Sequence, residues 1–440
     1  MKEISAIRRL IFVSVVTLTA LVVFRLCFLD GLLRRVTIDG PSMAPAFCGA
    51  HYLVTCQDCR FRFLCDAEHL PTDNRAACPN CGYTDNSLDD AVFKSPDQVL
   101  IDRWPLLWKS PQRGDVVAIA LPDSHDIAVK RIAGLPGEQL GIAAGDLFAG
   151  GKIIRKDEAR FDALRLLVYD DSYQPQKTTG LPPRWRPVNE HSSWQESPTG
   201  FRNAATAAGN DSYDWLQYEN WQNTADQRSR GYAISIQDND SYNQGETHRP
   251  LNAVTDVLFS SRLRAVGTGK LALAAVDNHD RLEVEIEPQK RAVLRFGQQT
   301  LVERKLTTNF SRRYVRLEFG LCDQQLLLVI DGRTIFRHPY QRSPGLQFSP
   351  SHSLAIGSAG LQIEFDEPRV WRDIYYLDPQ GLSRQWKLGS PLATAEYALL
   401  GDNQPVSIDS RQWQPAAIPR SAILGHVYQP FWTSSKNKNL

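Results

Sequence analysis

Residues Leu10–Phe24 form an apolar run whose only polar members are Ser14, Thr17 and Thr19. Nothing else in the chain limits its arrangement as strongly. A helix of this length falls short of the ~30 Å hydrocarbon thickness of a bilayer, at ~1.5 Å per residue. Arg25 interrupts the run, and Leu26-Cys27-Phe28-Leu29 resumes it. With the Arg25 head drawn toward the headgroups, the segment reaches a spanning length. A cleaved leader is the competing reading. No convincing small-x-small site separates the run from the first motif downstream, which favours an uncleaved anchor over residues 1–30. Lys2, Arg8 and Arg9 before the run are balanced by Arg34 and Arg35 after it, so charge assigns no orientation.

A net charge of +1 over 440 residues gives nothing that suggests nucleic-acid binding. The length predicts two or three domains behind the anchor.

Three short stretches carry chemistry. The first, Ile38-Asp39-Gly40-Pro41-Ser42-Met43-Ala44-Pro45, comes after a strand-like Arg35-Val36-Thr37-Ile38. The second is Ile127-Ala128-Val129-Lys130-Arg131-Ile132-Ala133 with the tail Gly134-Leu135-Pro136-Gly137-Glu138. The third is Gly401-Asp402-Asn403-Gln404-Pro405-Val406-Ser407-Ile408-Asp409-Ser410-Arg411. A serine hydroxyl becomes a useful nucleophile only when a base takes its proton. Lys130 is the candidate base, because its apolar neighbours would desolvate the ammonium and lower its pKa. The bland alternatives are an exposed strand lysine and a turn serine at Ser407. Neither His51 nor His125 stands in a context that suggests catalysis.

In this order, behind an apolar N-terminal segment, the three stretches resemble type I signal peptidases, membrane-bound Ser-Lys endopeptidases that remove secretory signal peptides. The resemblance covers residues 1–160 and 385–435, and includes Arg113-Gly114-Asp115-Val116-Val117 and the hairpin Gly145–Lys152. It implies Ser42 as nucleophile, Lys130 as general base and Ser407 as the hydroxyl that hydrogen-bonds and orients the lysine. It further implies a supporting ion pair of Asp409 and Arg411, and an oxyanion donor in the Ser42 N–H. Gly40 stands where some members carry a second hydroxyl donor. The chain departs from the pattern at Gln404-Pro405-Val406, which puts the hydrogen bonding of that loop in question. By the same resemblance, an extended substrate lies between residues 36–42 and 126–130, and small residues precede the cut. The catalytic part would face outward from the cell membrane. The implied partners are the lipid bilayer and secretory preproteins, and the reaction needs no catalytic cofactor.

Two additions interrupt that pattern. Residues 51–90 contain Cys56-x-x-Cys59 and Cys78-x-x-Cys81, the spacing of a zinc ribbon. A structural zinc held by Cys56, Cys59, Cys78 and Cys81 is favoured over two disulfides, because paired knuckles suit a tetrahedral metal. Cys48 and Cys65 are left over.

Residues 161–378 read as β-rich. Period-two alternation marks Leu282–Glu287 and Tyr314–Phe319, and Asp331-Gly332 between Gln325–Ile330 and Arg333–Phe336 is a hairpin signal. Short strands with polar turns predict a β-sandwich, similar to concanavalin-like or laminin-G-like jelly rolls. That similarity brings a carbohydrate or protein ligand into view, although a packed sandwich without one is the simpler reading. A sandwich with its own core should be separable from its host, so replacing residues 165–380 with a linker is expected to spare activity.

The expectation is a mainly β protein: membrane helix, signal-peptidase-like β core over 31–160 and 385–435, inserted zinc ribbon and inserted jelly roll. The functional expectation is a serine endopeptidase that cleaves signal peptides. The alternatives are a related Ser-Lys processing protease of restricted substrates, and a membrane-anchored binding protein on an inactive peptidase scaffold.

Overall fold

Seven antiparallel strands make the sheet that carries the three motifs. Their spatial order is Leu33–Thr37, Gln98–Asp102, Ile423–Tyr428, Val116–Ala120, Ile127–Gly134, Glu396–Leu400 and Ile418–Pro419. Strands from both ends of the sequence alternate in it, so the third motif is brought beside the second by direct pairing. Leu400 lies opposite Arg131, and Leu399 opposite Ile132. In this computed structural model the described residues are 2–26, 31–121, 126–176, 181–204, 212–221, 231–246, 249–343 and 350–430. His125 lies outside them.

The N-terminal helix runs over Lys2–Phe24. Ile7–Phe24 within it has a mean hydropathy of 2.1, and none of it is buried inside the protein. The apolar surface is exposed on every side, with Leu10 69% and Phe12 70% accessible, as a lipid-facing helix requires and a water-facing one does not tolerate. The helix ends at Phe24, so the expected continuation to Leu29 runs beyond it and partly outside the described residues.

A second, four-stranded sheet joins Lys152–Ile153, Asp146–Ala149, Leu140–Ala143 and Trp386–Lys387. It too draws on residues before 154 and after 385. Every strand from Leu166–Asp170 to Leu354–Arg372 belongs instead to one 13-stranded sheet around a separate core. Trp185 packs edge-on against Phe365 and Phe259 with ring centroids 5.2 and 5.9 Å apart, at the centre of that core. Burying each such ring contributes about 2–3 kcal/mol.

The predicted hairpin at Asp331-Gly332 is present, with φ of 50° and 74°, the left-handed pair a two-residue turn between right-twisted strands requires. The expectation of uniformly short strands is not met. Val257–Asp277 and Leu354–Arg372 are 21 and 19 residues long and pair along most of their length. Val257–Asp277 changes its outer partner midway: Leu258–Leu263 pairs with Val315–Gly320, whereas Leu271–Asp277 pairs with Asp280–Ile286. The register shifts between Gly267 and Lys270. There Gly267 and Gly360 have φ of 105° and 77°, and a Cβ on Gly269 would sit 2.1 Å from the Ala359 carbonyl oxygen. Glycines that permit a close-packed bend let one strand do what two short strands were expected to do.

The sandwich is also pinned to the hairpin sheet. Lys156 is buried and donates to Asp323 at 2.6 Å and pairs with Asp373 at 2.8 Å. Removing such a lysine would strand buried carboxylates.

Candidate active site

Ser42 lies in a single 3₁₀ turn, Pro41–Met43. Pro41 suits the first position of that turn because its φ is preset and its missing N–H is not needed there. Met43, Ala44, Phe47 and Cys48 behind the turn are buried, which leaves Ser42 partly exposed at its rim. Nothing stands within 4 Å of where a Cβ on Gly40 would be, so the space beside Gly40 is open.

Lys130 sits opposite Val117 in the strand pairing, on Ile127–Gly134. Its side chain points at the turn, with Nζ donating to Ser42 Oγ at 2.6 Å. The residue is only 4% exposed. Burial lowers its pKa from 10.5 to about 8; Asp409 and Asp402 pull it back up, and Arg411 pushes it further down. About a tenth is therefore the free amine at pH 7, far more than for an ordinary lysine, and this is the form that can accept a proton. The apolar sequence around Lys130 predicted this, and the exposed-lysine alternative does not hold.

The tail after the lysine has a structural role. Glu138 accepts from the Leu135 N–H at 2.8 Å and forms an ion pair with Arg113. Arg113 also donates to the Ala133 carbonyl. These bonds fasten the Arg113-Gly114-Asp115 turn to the end of the lysine strand. Next to Lys130, Arg131 makes a two-pronged pair with Asp402 of the third motif, at 2.7 and 2.5 Å.

That motif wraps the nucleophile turn from behind. The Asn403 N–H donates to the Ser42 carbonyl at 3.1 Å, and Asn403 Nδ2 to the Pro41 carbonyl at 3.1 Å. A Cβ on Gly401 would lie 2.5 Å from the Ser42 carbonyl and 2.2 Å from Ser407 Oγ, so only glycine allows the two segments to meet. Ser407 is buried, and its hydroxyl donates to Asp409 Oδ2 at 2.8 Å. The hydrogen bond of Ser407 to Lys130 implied by the resemblance is not among those formed: the partner of Lys130 is Ser42 and that of Ser407 is Asp409. Asp409 and Arg411 form the expected ion pair at 2.8 Å with both side chains fully buried. Asp409 also accepts from the Gly401 N–H at 3.0 Å, while Arg411 donates to the carbonyls of Leu377, Gln404 and Ser407. The pair thus supplies the donors and acceptors that its burial demands. The atypical Gln404 is satisfied as well, donating to the Gly401 carbonyl and accepting from the Leu377 N–H.

His51 is buried, its ring against the Gly49 carbonyl at 2.8 Å and tilted toward Tyr242.

The four cysteines converge. Cys56 Sγ lies 3.6 Å from Cys81 Sγ, and Cys59 Sγ 3.7 Å from Cys78 Sγ. All four sulfurs fall within 4.8 Å of one another. The two loops are copies of one turn. Arg60 N–H returns to the Cys56 carbonyl and Gly82 N–H to the Cys78 carbonyl, at 3.1 and 2.8 Å. Arg60 and Gly82 share φ values of 68° and 70°. These sulfurs are well beyond disulfide bonding distance, ~2.05 Å. Four thiolates bound to zinc at ~2.3 Å would stand ~3.8 Å apart in a tetrahedron, close to what is seen.

Residues 7–184 match the signal peptidase (peptidase S26) family, a segment that contains Ser42 and Lys130 and stops before the third motif. A 78-residue stretch is 27% identical to a probable signal peptidase I-2 of Synechocystis sp. (strain ATCC 27184 / PCC 6803 / Kazusa), covering 16% of this chain. The matched stretch spans 36% of that relative's length. Among solved structures, the chain is similar to carbohydrate binding module CBM66 from Bacillus subtilis, with 11% identity and a TM-score of 0.27, over 42% of this chain and 93% of that one. It is similar to apo Crh5 transglycosylase, with 10% identity and a TM-score of 0.30, over 51% and 92% of the respective chains. These scores are too low to carry an argument about ligands. The chain is mainly β, and its similarity to the signal peptidase family lies within residues 7–184.

Proposed function

We propose that this protein is a membrane-anchored serine endopeptidase that removes N-terminal signal peptides from secretory preproteins, with its helix in the bilayer and its catalytic part on the outer face. The observation that carries the reading is the 2.6 Å contact between Ser42 Oγ and a buried Lys130 whose pKa falls to about 8. Neutral Lys130 accepts the Ser42 proton as Oγ attacks the scissile carbonyl. The Ser42 N–H stabilises the oxyanion, and the space beside Gly40 is open. The ammonium of Lys130 returns the proton to the leaving amine. Water then enters, gives a proton to Lys130 and hydrolyses the ester on Ser42. Ser407, Asp409 and Arg411 hold the loop that fixes the nucleophile turn, and Asp409 tempers the acidity of Lys130.

The substrate lies along unpaired strand edges. Ile127–Lys130 pairs with Val117–Ala120 on one side, but Glu396–Leu400 takes up the other side only from Arg131 onward. Leu33–Thr37 pairs only with Gln98–Asp102 among the described strands. An extended peptide completes these edges by main-chain hydrogen bonds. The half-buried Val36, Ile127 and Val129 beside Ile38 and Met43 offer shallow apolar contacts to small side chains before the cut.

Cys56, Cys59, Cys78 and Cys81 would hold a structural zinc. Four thiolates would leave no open position, so such a metal would stiffen the ribbon and take no part in hydrolysis. The 161–378 segment is an inserted sandwich.

Cleavage of a secretory precursor by the purified full chain, beside its Ser42→Ala variant, tests the reading. Product with a new N-terminus after a small residue is expected only with Ser42 present. Equal cleavage by both proteins would overturn it.

A further inference from the structure

A short strap of the β-rich segment reaches the framework around Ser42. The strap Ser241–Glu246 leaves the sandwich and passes between the cysteine ribbon and the nucleophile turn. Tyr242, 1% exposed, packs with Ala44 and Cys48, just after Ser42 in sequence. Gln244 clasps Ala77, next to Cys78, accepting from its N–H at 2.6 Å and donating to its carbonyl at 2.9 Å. Between them, Asn243 faces Asn403. Asn243 Nδ2 donates to Asn403 Oδ1 at 2.6 Å, and Asn403 Nδ2 donates to Asn243 Oδ1 at 2.8 Å. Both side chains are more than nine-tenths buried.

We infer that Asn243 is a positioning residue of the active site, which orients Asn403 so that Asn403 holds the Pro41 and Ser42 carbonyls and thereby sets the nucleophile. The inference rests on the peptidase reading for its kinetic consequence, but its structural content stands apart. In a reciprocal amide pair the orientation of one amide fixes that of the other, and the Pro41 carbonyl selects which of the two joint orientations is adopted. In that orientation one Nδ2 proton of Asn403 serves Asn243 and the other reaches Pro41. Turning the Asn403 amide over would set its Oδ1 toward the Pro41 carbonyl, oxygen against oxygen. The Asn403 main chain is committed too, its N–H to the Ser42 carbonyl and its carbonyl to the Ser407 N–H at 3.1 Å each. Asn403 is therefore the point where the strap, the nucleophile turn and the Ser407 loop meet. Asn243 is its partner from outside the three motifs.

Asn243→Asp is the sharpest test, because it keeps the volume and replaces the donor with a second acceptor that also carries charge. A carboxylate oxygen would face Asn403 Oδ1 at hydrogen-bond distance. The amide of Asn403 must then turn away from Pro41 or the strap must withdraw. Displacing a nucleophile by an ångström can cost about 100-fold. Asn243→Asp is expected to lower kcat about 10- to 100-fold with KM little changed, and Asn243→Ala to lower it less. The double variant Asn243→Ala, Asn403→Ala should be no slower than Asn403→Ala alone. Zinc content and melting temperature serve as controls for a general structural effect. Hydrogen exchange over residues 40–48 should quicken in Asn243→Asp. Unchanged exchange there overturns the inference, whatever the kinetics. Quickened exchange with wild-type kcat overturns it as well. Should the wild type show no Ser42-dependent cleavage, the peptidase reading fails separately, and the exchange result alone decides the role of Asn243.

Discussion

Replacing Lys130 with methionine should abolish cleavage and stabilise the protein. The unfolded lysine titrates near 10.5, whereas in the fold burial holds it at about 8. Between those values the unfolded chain keeps a proton that the folded chain has released, so the stability of the wild type rises with pH across this window. Below pH 8 both states carry the proton, and the whole cost of burying the ammonium is present. At about 1.36 kcal/mol for each tenfold change, that cost is about 3 kcal/mol at pH 6.5. Methionine keeps the straight chain without the charge. It also forfeits the hydrogen bond to Ser42, which contributes about 1 kcal/mol. The net gain is about 2 kcal/mol at pH 6.5, or about 5 °C in melting temperature for a domain of this size, and it vanishes near pH 10. Thermal unfolding of wild type and Lys130→Met in one detergent, at pH 6.5 and pH 10, measures it. A variant no more stable than the wild type at pH 6.5, or equally favoured at both pH values, would refute the buried, depressed lysine.

Elemental analysis should find about one zinc per chain, and Cys56→Ser or Cys81→Ser should lose it together with much of the ribbon's stability. Finding the four thiols oxidised and no metal would favour disulfides. Replacing residues 165–380 with a Gly/Ser linker should give an inactive protein, contrary to what the sequence suggests. The excision removes Asn243 and also Leu377, whose N–H serves Gln404 and whose carbonyl serves Arg411. It also removes Tyr376, which packs with Ala133 and Leu140 of the sheets that carry the motifs and the hairpin. A peptide-cleavage assay of the excised chain checks this, and full activity would restore the modular view.

Features that depend on local sequence were legible. The settings of Ser42 and Lys130 could be read because their neighbours create them: a proline that fixes the turn, and apolar residues that desolvate the amine. The cysteine knuckles and the Asp331-Gly332 turn are likewise written in spacings of a few residues. What could not be read depends on distant pairing. Ser407 was expected to serve Lys130, and its hydroxyl goes to Asp409 because Asp409 gathers the donors of Gly401, Ser407 and Arg411. Asn243 sits in an unremarkable polar stretch, 160 positions from Asn403. Lys156 meets Asp323 across a similar gap of 167. In each case the partner's identity is fixed by topology, and no pattern around either residue announces it. The long strands were missed because the register shifts and glycines that bend them look, in sequence, like turns between shorter ones.

On the proposed mechanism, Lys130 must lose its proton before it can activate Ser42. The most direct test is the rate at which a serine-directed acylating probe labels Ser42 as pH is raised, with the modified residue located by mass spectrometry. The account predicts labelling confined to Ser42, rising through an ionisation near pH 8 and absent in Lys130→Met. Labelling at another serine, a rate unchanged between about pH 6 and pH 10, or normal labelling of Lys130→Met would contradict it.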